Sequence, residues 1–169
     1  FMLGDTYREK GDYDNQVKAY EKMVNLRPSD WQGYYYLAQA YLTKGAKYDN
    51  KNKDWQKVRF EYYQKSVETF KKGMTLKPDS DSLMRGIAGA YQNLAEMSKG
   101  AEKTKYYSES VKILVAFTEK NPQNEYGFAL LGEAYSKLGK NKDAIENAQR
   151  SLKIKENLFA YSELGDVYF

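Results

Sequence analysis

The chain has 169 residues, of which 41% are hydrophobic and 30% are charged, a balance typical of a folded and soluble protein. Because it contains no cysteine and no histidine, thiol nucleophiles, disulfides, imidazole bases and most transition-metal sites are excluded. No apolar run exceeds that of residues 113–117, so membrane insertion is not expected. We expect no enzyme and no cofactor, and both the cytoplasm and the bacterial periplasm remain open as compartments.

A short pattern occurs five times along the chain: a large apolar residue, Gly or Ala, two variable residues and then Tyr. The copies begin at Leu3, Leu37, Ile87, Leu131 and Leu164. The intervals between the second, third and fourth copies are 50 and 44 residues, and the prolines at positions 28, 78 and 122 show the same two intervals. Two unrelated markers in one phase indicate an internal repeat.

Each repeat unit predicts two helices. In the fourth unit apolar residues recur every three or four positions over 128–138 and again over 144–152, with Gly139 and Lys140 between them. A proline closes a unit because it lacks an N–H group and disfavours helix in the residue before it. Helix, turn, helix and stop, repeated with a basic period of 34 residues, describes an α-solenoid.

The pattern resembles the tetratricopeptide repeat, W-x₂-L-G-x₂-Y followed by A-x₃-F and P. The segments Gly11–Pro28 and Leu131–Ile154 are the most similar to it. The alanine slot of the pattern is occupied by Gln16, Ser66, Ser110 and Ala144. The resemblance implies an all-α, right-handed α-solenoid of tetratricopeptide-like helix-turn-helix repeats.

The repeat phase divides one predicted solenoid domain, residues 1–169, into five parts. These are a partial unit 1–30, a unit 31–80 with an insertion at about 46–61, a unit 81–124 with an insertion at about 95–105, a unit 125–157 and a partial unit 158–169.

Both insertions fall between the two helices of their unit. In the first, Asp54 is a suitable N-cap, so a long second helix should begin there. In the second, the first helix should extend until Lys99-Gly100 interrupts it. We expect the extra turns to pack as a knob with a small core of Trp55, Val58, Leu94, Met97 and Tyr106.

The knob is also basic. Residues 44–65 hold seven Lys or Arg and three Asp or Glu, and this net charge of +4 equals that of the whole chain. The segment is predicted as a secondary basic patch that docks a protein or, as the less favoured reading, nucleic acid. Its members are Lys51, Lys53, Lys57 and Arg59.

The same segment also raises the question of a calcium loop, because Asn50, Asn52 and Asp54 alternate. The acidic first ligand and the glycine at the sixth position that such a loop needs are both missing. No metal site is predicted.

The family resemblance implies that a peptide or partner helix binds in a concave groove lined by the first helices. The groove residues carried over to this sequence are Gln32, Tyr35, Gln39, Leu42, Arg85, Gln92, Asn93, Tyr126, Glu133 and Lys137. The predicted function is a non-enzymatic scaffold or adaptor with a protein or peptide partner. The alternative is a structural segment of a larger array, which could also self-associate through truncated solenoid ends.

Overall fold

The structure is a computed structural model that describes residues 2–156 and 158–168. Over these residues the chain forms nine α-helices and no β-strand. The helices are α1 (Met2–Glu9), α2 (Tyr13–Leu26), α3 (Trp31–Lys47), α4 (Trp55–Leu76), α5 (Asp81–Met97), α6 (Gly100–Lys120), α7 (Glu125–Lys137), α8 (Asn141–Ile154) and α9 (Leu158–Tyr168).

The helices belong to two compact units, residues 1–97 with α1–α5 and residues 98–169 with α6–α9. Within each unit every helix packs against the next one in the chain. In addition, α3 contacts α5 in the first unit and α7 contacts α9 in the second. Packing of sequential hairpins, with first helices also meeting first helices, is the arrangement expected of a solenoid.

The three prolines occupy the same turn three times. The residue before each proline donates its backbone N–H to the carbonyl four residues earlier, at 3.0, 3.0 and 2.9 Å. Its own carbonyl accepts the N–H of the residue three positions later, at 3.1, 3.2 and 3.0 Å. The capping residues are Arg27, Lys77 and Asn121. The backbone thus makes the same turn at each proline, where the sequence predicts that a helix stops.

Two hairpins are closed by glycines in the left-handed region. Gly11 and Gly139 have φ values of 71° and 70° and follow α1 and α7. Beyond α7 the N–H of Gly139 reaches the carbonyl of Ser136 at 2.8 Å, and that of Lys140 reaches Tyr135 at 3.0 Å. Glycine suits this position because it has no Cβ to oppose a positive φ.

Aromatic side chains of second helices lie against glycines of first helices. Phe70 of α4 and Phe117 of α6 are fully buried. A Cβ added to Gly86 would lie 2.5 Å from the ring of Phe70, and one added to Gly127 would lie 2.5 Å from the ring of Phe117. These two glycines, which lie outside the five-residue pattern, therefore let an aromatic ring approach the backbone of the next helix.

The first insertion lengthens both helices of its hairpin. Helix α3 continues to Lys47, and α4 begins at Trp55 directly after Asp54, where the sequence places its start. Asp54 occupies the N-cap position as predicted, but its carboxylate makes no capping hydrogen bond. The other long first helix, α5, ends at Met97. Tyr106 belongs to the second unit, and the packing of the knob stays a prediction.

Arg59 on α4 is directed back at the end of α3. Its Nε donates to the carbonyl of Gly45 at 3.0 Å, and one terminal nitrogen lies 3.2 and 3.3 Å from the carbonyls of Ala46 and Tyr48. The guanidinium also lies over the ring of Trp55 at 4.8 Å. Arg59 is thus a C-terminal cap of α3, which is a different role from the predicted one in the basic patch.

Replacing Arg59 with alanine should lower the free energy of unfolding by about 1–2 kcal/mol, because charge-assisted bonds to carbonyls at the end of α3 are lost. Urea denaturation measures the change. Lys57→Ala, at an exposed position of the same helix, is the matched control and should change stability by less than about 0.5 kcal/mol. Equal effects of the two substitutions would contradict the capping role.

Candidate functional site

A pocket of about 190 Å³ opens between α1, α2 and α3 in the first unit. We call it the Gln16 pocket. Helix α1 supplies charged side chains, α2 supplies buried polar ones and α3 supplies half-buried ones. Its lining residues are Asp5, Arg8, Gln16, Tyr20, Tyr35, Tyr36, Gln39 and Thr43.

The buried part of the pocket is polar. Gln16 and Tyr20 are each only 3% exposed. The amide oxygen Oε1 of Gln16 has no hydrogen-bond partner, and a buried unsatisfied acceptor costs about 1–3 kcal/mol. The hydroxyl of Tyr20 donates to Oδ1 of Asp5 at 3.2 Å. Burial, followed by the charge of Asp5, raises the pKa of Tyr20 to about 12.

Aromatic rings form much of the wall. The rings of Tyr20 and Tyr36 are stacked with centroids 5.6 Å apart, and Tyr35 meets Tyr36 edge-on at 5.3 Å. Tyr35 also lies 6.1 Å from the ring of Phe70, which is part of the core. The hydroxyl of Thr43 donates to the carbonyl of Gln39 at 3.0 Å. These contacts fix the walls, so the pocket is formed before any ligand arrives.

An ion pair lies at the charged side of the pocket. The Arg8 guanidinium is 3.5 Å from Oδ1 of Asp5, and the two side chains are 56% and 40% exposed. Ion pairs this exposed contribute less than about 1 kcal/mol, so Arg8 can leave Asp5 at little cost. Asp5, Arg8 and Gln16 were not among the sequence-predicted site residues. The available signal was Gln16 itself, a large polar residue in the alanine slot of the repeat.

The predicted groove residues fall into separate places. Tyr35 and Gln39 meet in the Gln16 pocket, while Gln32 on α3 is exposed and Leu42 is half-buried. On α5, Arg85 and Asn93 are exposed, and the amide nitrogen of Gln92 is buried without a hydrogen-bond partner.

In the second unit, all three predicted groove residues lie on α7. Tyr126 is 49% exposed, Lys137 is exposed and Glu133 is half-buried. They therefore present a polar stretch of first helix with one accessible aromatic ring.

Some of the basic side chains in segment 44–65 make contacts within the fold. Lys51, Lys53 and Lys57 are exposed, but Arg59 caps α3. Lys44 pairs with Asp14 at 2.5 Å and lies 4.7 Å from the ring centroid of Tyr62. Burial opposes its charged form, yet the bonds to Asp14 and Tyr62 leave its pKa raised. Arg59 and Lys44, two of the seven basic residues, therefore already bind groups within the protein.

Within the described part of the chain, none of the helices has both the length and the apolar character to cross a bilayer. The same residues contain no group of three or more acidic side chains placed to hold a metal ion.

Comparison with known proteins agrees with this geometry. Residues 4–45 match the family model described as TPR repeat, and residues 127–158 match the one described as tetratricopeptide repeat. A TPR repeat-containing protein of Methanocaldococcus jannaschii is 26% identical over 154 residues, which are 89% of this chain and 24% of that protein. The chain therefore spans about a quarter of the length of this curated relative.

Solved structures show the same fold. The MamA fragment 41-end from Desulfovibrio magneticus RS-1 superposes with a TM-score of 0.76 at 16% identity, covering 98% of this chain and 79% of that one. TTC0263, a thermophilic TPR protein of Thermus thermophilus, gives 0.71 at 20% identity, covering 99% and 78%.

Together the helical hairpins, the repeated turns and these matches define an all-α solenoid of tetratricopeptide-like hairpins, as the sequence predicted. The chain thus contains tetratricopeptide-like repeats, matched at residues 4–45 and 127–158. This fold suits protein–protein interaction and is typically non-catalytic.

Proposed function

We propose that the protein is a non-enzymatic interaction module that binds an extended peptide or a partner helix on the surface of its first helices. The observation that supports this most directly is the Gln16 pocket, a preformed concave site between α1 and α3 that contains the predicted groove residues Tyr35 and Gln39. Concave sites with apolar walls and a few convergent polar groups are the usual places for ligands.

The surface of α5 extends the site within the first unit, because α3 and α5 are in contact. A Cβ added to Gly89 would meet nothing within 4 Å, so this glycine leaves open space on α5. Arg85, four residues earlier, is exposed and can pair with a carboxylate of the ligand. The proposed binding surface of this unit thus combines an aromatic pocket with a neighbouring cationic group.

A second candidate is docking through the basic segment 44–65 to a protein or, less favoured, to nucleic acid. The observation that favours it is the exposure of Lys51, Lys53 and Lys57. Since Arg59 and Lys44 are bound within the fold, the remaining field is weaker than the sequence indicates. The alternative to ligand binding is a structural role, in which the chain self-associates or forms one segment of a larger array.

A displayed random-peptide library selected on the purified chain tests the groove. Titration calorimetry then compares a selected peptide on the wild type with Arg85→Glu and Tyr35→Ala, which should bind at least about tenfold more weakly if these residues are anchors. The triple reversal Lys51→Glu, Lys53→Glu and Lys57→Glu is the matched control and should bind normally. Circular dichroism confirms that each variant is folded.

If the groove variants retain affinity and the triple reversal loses it, the basic segment is the site and the groove proposal is wrong. If no peptide is selected and light scattering shows defined oligomers, the structural role replaces it.

A further inference from the structure

We infer that the Gln16 pocket is a subsite for a primary ammonium side chain, that of a lysine in the bound partner. The inference rests on the proposed function, since it names which side chain of a peptide the groove selects. It is carried by the groups that converge on the cavity, namely an unpaired buried acceptor, a carboxylate and aromatic faces.

The unpaired oxygen of Gln16 can accept a hydrogen bond from a ligand. Oε1 of Gln16 belongs to a side chain that is 97% buried, and it has no partner. Buried polar atoms in proteins nearly always find a partner, so an unpaired oxygen on a residue that lines a cavity favours a donor supplied by a ligand. A ligand with an N–H group satisfies this acceptor, whereas a carboxylate or an apolar group leaves it unpaired.

The rest of the lining favours a positively charged donor over a neutral one. The carboxylate of Asp5 lines the pocket and already accepts from the hydroxyl of Tyr20 and from a cation, Arg8. The rings of Tyr20, Tyr35 and Tyr36 surround the same space, and aromatic faces attract ammonium groups. An ammonium group with three N–H donors can bond Gln16 and Asp5 together while its methylene chain contacts the rings.

Arg8 competes with the ligand for the carboxylate of Asp5. Its side chain is 56% exposed and holds Asp5 only at 3.5 Å, so an incoming ammonium group displaces it rather than adding to it. The sign of an Arg8 substitution therefore identifies the ligand. Removal of Arg8 strengthens the binding of a cation and weakens that of an anion.

The experiment uses capped single amino acids and NMR on the purified chain. N-acetyl-lysine methylamide is titrated to about 20 mM, above the dissociation constant expected for a ligand of this size. The resonance of the Gln16 side-chain amide is followed. Capped norleucine has the same chain without charge, and capped glutamate has the opposite charge. We expect a saturating shift with lysine alone, together with tightening of about threefold in Arg8→Gln and weakening of about tenfold in Asp5→Asn.

The substituted side chains on α1 are 56% exposed for Arg8 and 40% exposed for Asp5, and the amide spectrum of each variant checks that it is folded. A shift with glutamate and weaker binding in Arg8→Gln would assign an acidic ligand and overturn the inference. Equal shifts with norleucine and lysine would assign an apolar pocket, and no shift with any probe would mean that no ammonium group binds there. Either result overturns the inference. If selected peptides bind the groove while capped lysine does not, the subsite fails and the proposed function stands. If capped lysine binds and no peptide is selected, the ammonium subsite stands and the proposed peptide-binding function fails.

Discussion

Phe70→Ala should lower the free energy of unfolding by about 3–5 kcal/mol, the range for removing a buried aromatic ring. Phe70 has no exposed surface, its ring rests on Gly86 of α5 and it lies 6.1 Å from the ring of Tyr35. The substitution therefore leaves a cavity between α3, α4 and α5. Urea denaturation followed by circular dichroism measures the loss.

The conservative variant Phe70→Leu is the control, because it keeps most of the apolar volume and should cost less than about 1.5 kcal/mol. Hydrogen exchange should show that protection falls first in α4 and α5, since each repeat mainly stabilises its neighbours. A loss of less than about 1 kcal/mol in Phe70→Ala would show that the ring is not a core anchor.

Two glycines on α5 should respond to alanine with opposite signs. A Cβ at Gly86 would lie 2.5 Å from two ring carbons of Phe70, so Gly86→Ala forces a buried ring to move and should cost about 1–3 kcal/mol. A Cβ at Gly89 would meet nothing within 4 Å, so Gly89→Ala should stabilise by about 0.5–1 kcal/mol through helix propensity alone. Thermal or urea denaturation of both variants measures the difference.

The same pair has an internal control. In a Phe70→Ala background the space that Gly86→Ala needs is vacant, so its cost should largely disappear. A stabilising effect of Gly86→Ala in the wild-type background would contradict the packing of α4 on α5, and a destabilising effect of Gly89→Ala would contradict the open space beside Gly89. Gly89→Ala is also useful for testing binding, because it fills the open space beside Arg85 without lowering the stability of the protein.

Part of the candidate site was visible in the sequence. Tyr35 and Gln39 were predicted as groove residues because the family resemblance implies that these positions of the first helix line the groove, and both line the Gln16 pocket. Asp5 and Arg8 were missed because α1 was treated only as the end of a partial unit. Gln16 was noticed as a departure from the alanine slot, but its unpaired oxygen depends on how α1, α2 and α3 pack.

The sequence by itself determined the repeat, the helix stops at the three prolines and the break at Gly139. These features follow from local chemistry: proline stops a helix, glycine allows a positive φ and apolar spacing selects the buried face. Only the tertiary structure decided that Arg59 caps α3 and that the hydroxyl of Tyr20 pairs with Asp5. These bonds join residues 14 and 15 positions apart on different helices. The direction of a long polar side chain depends on which neighbouring helix leaves carbonyls or carboxylates unpaired, and local pattern does not contain that information.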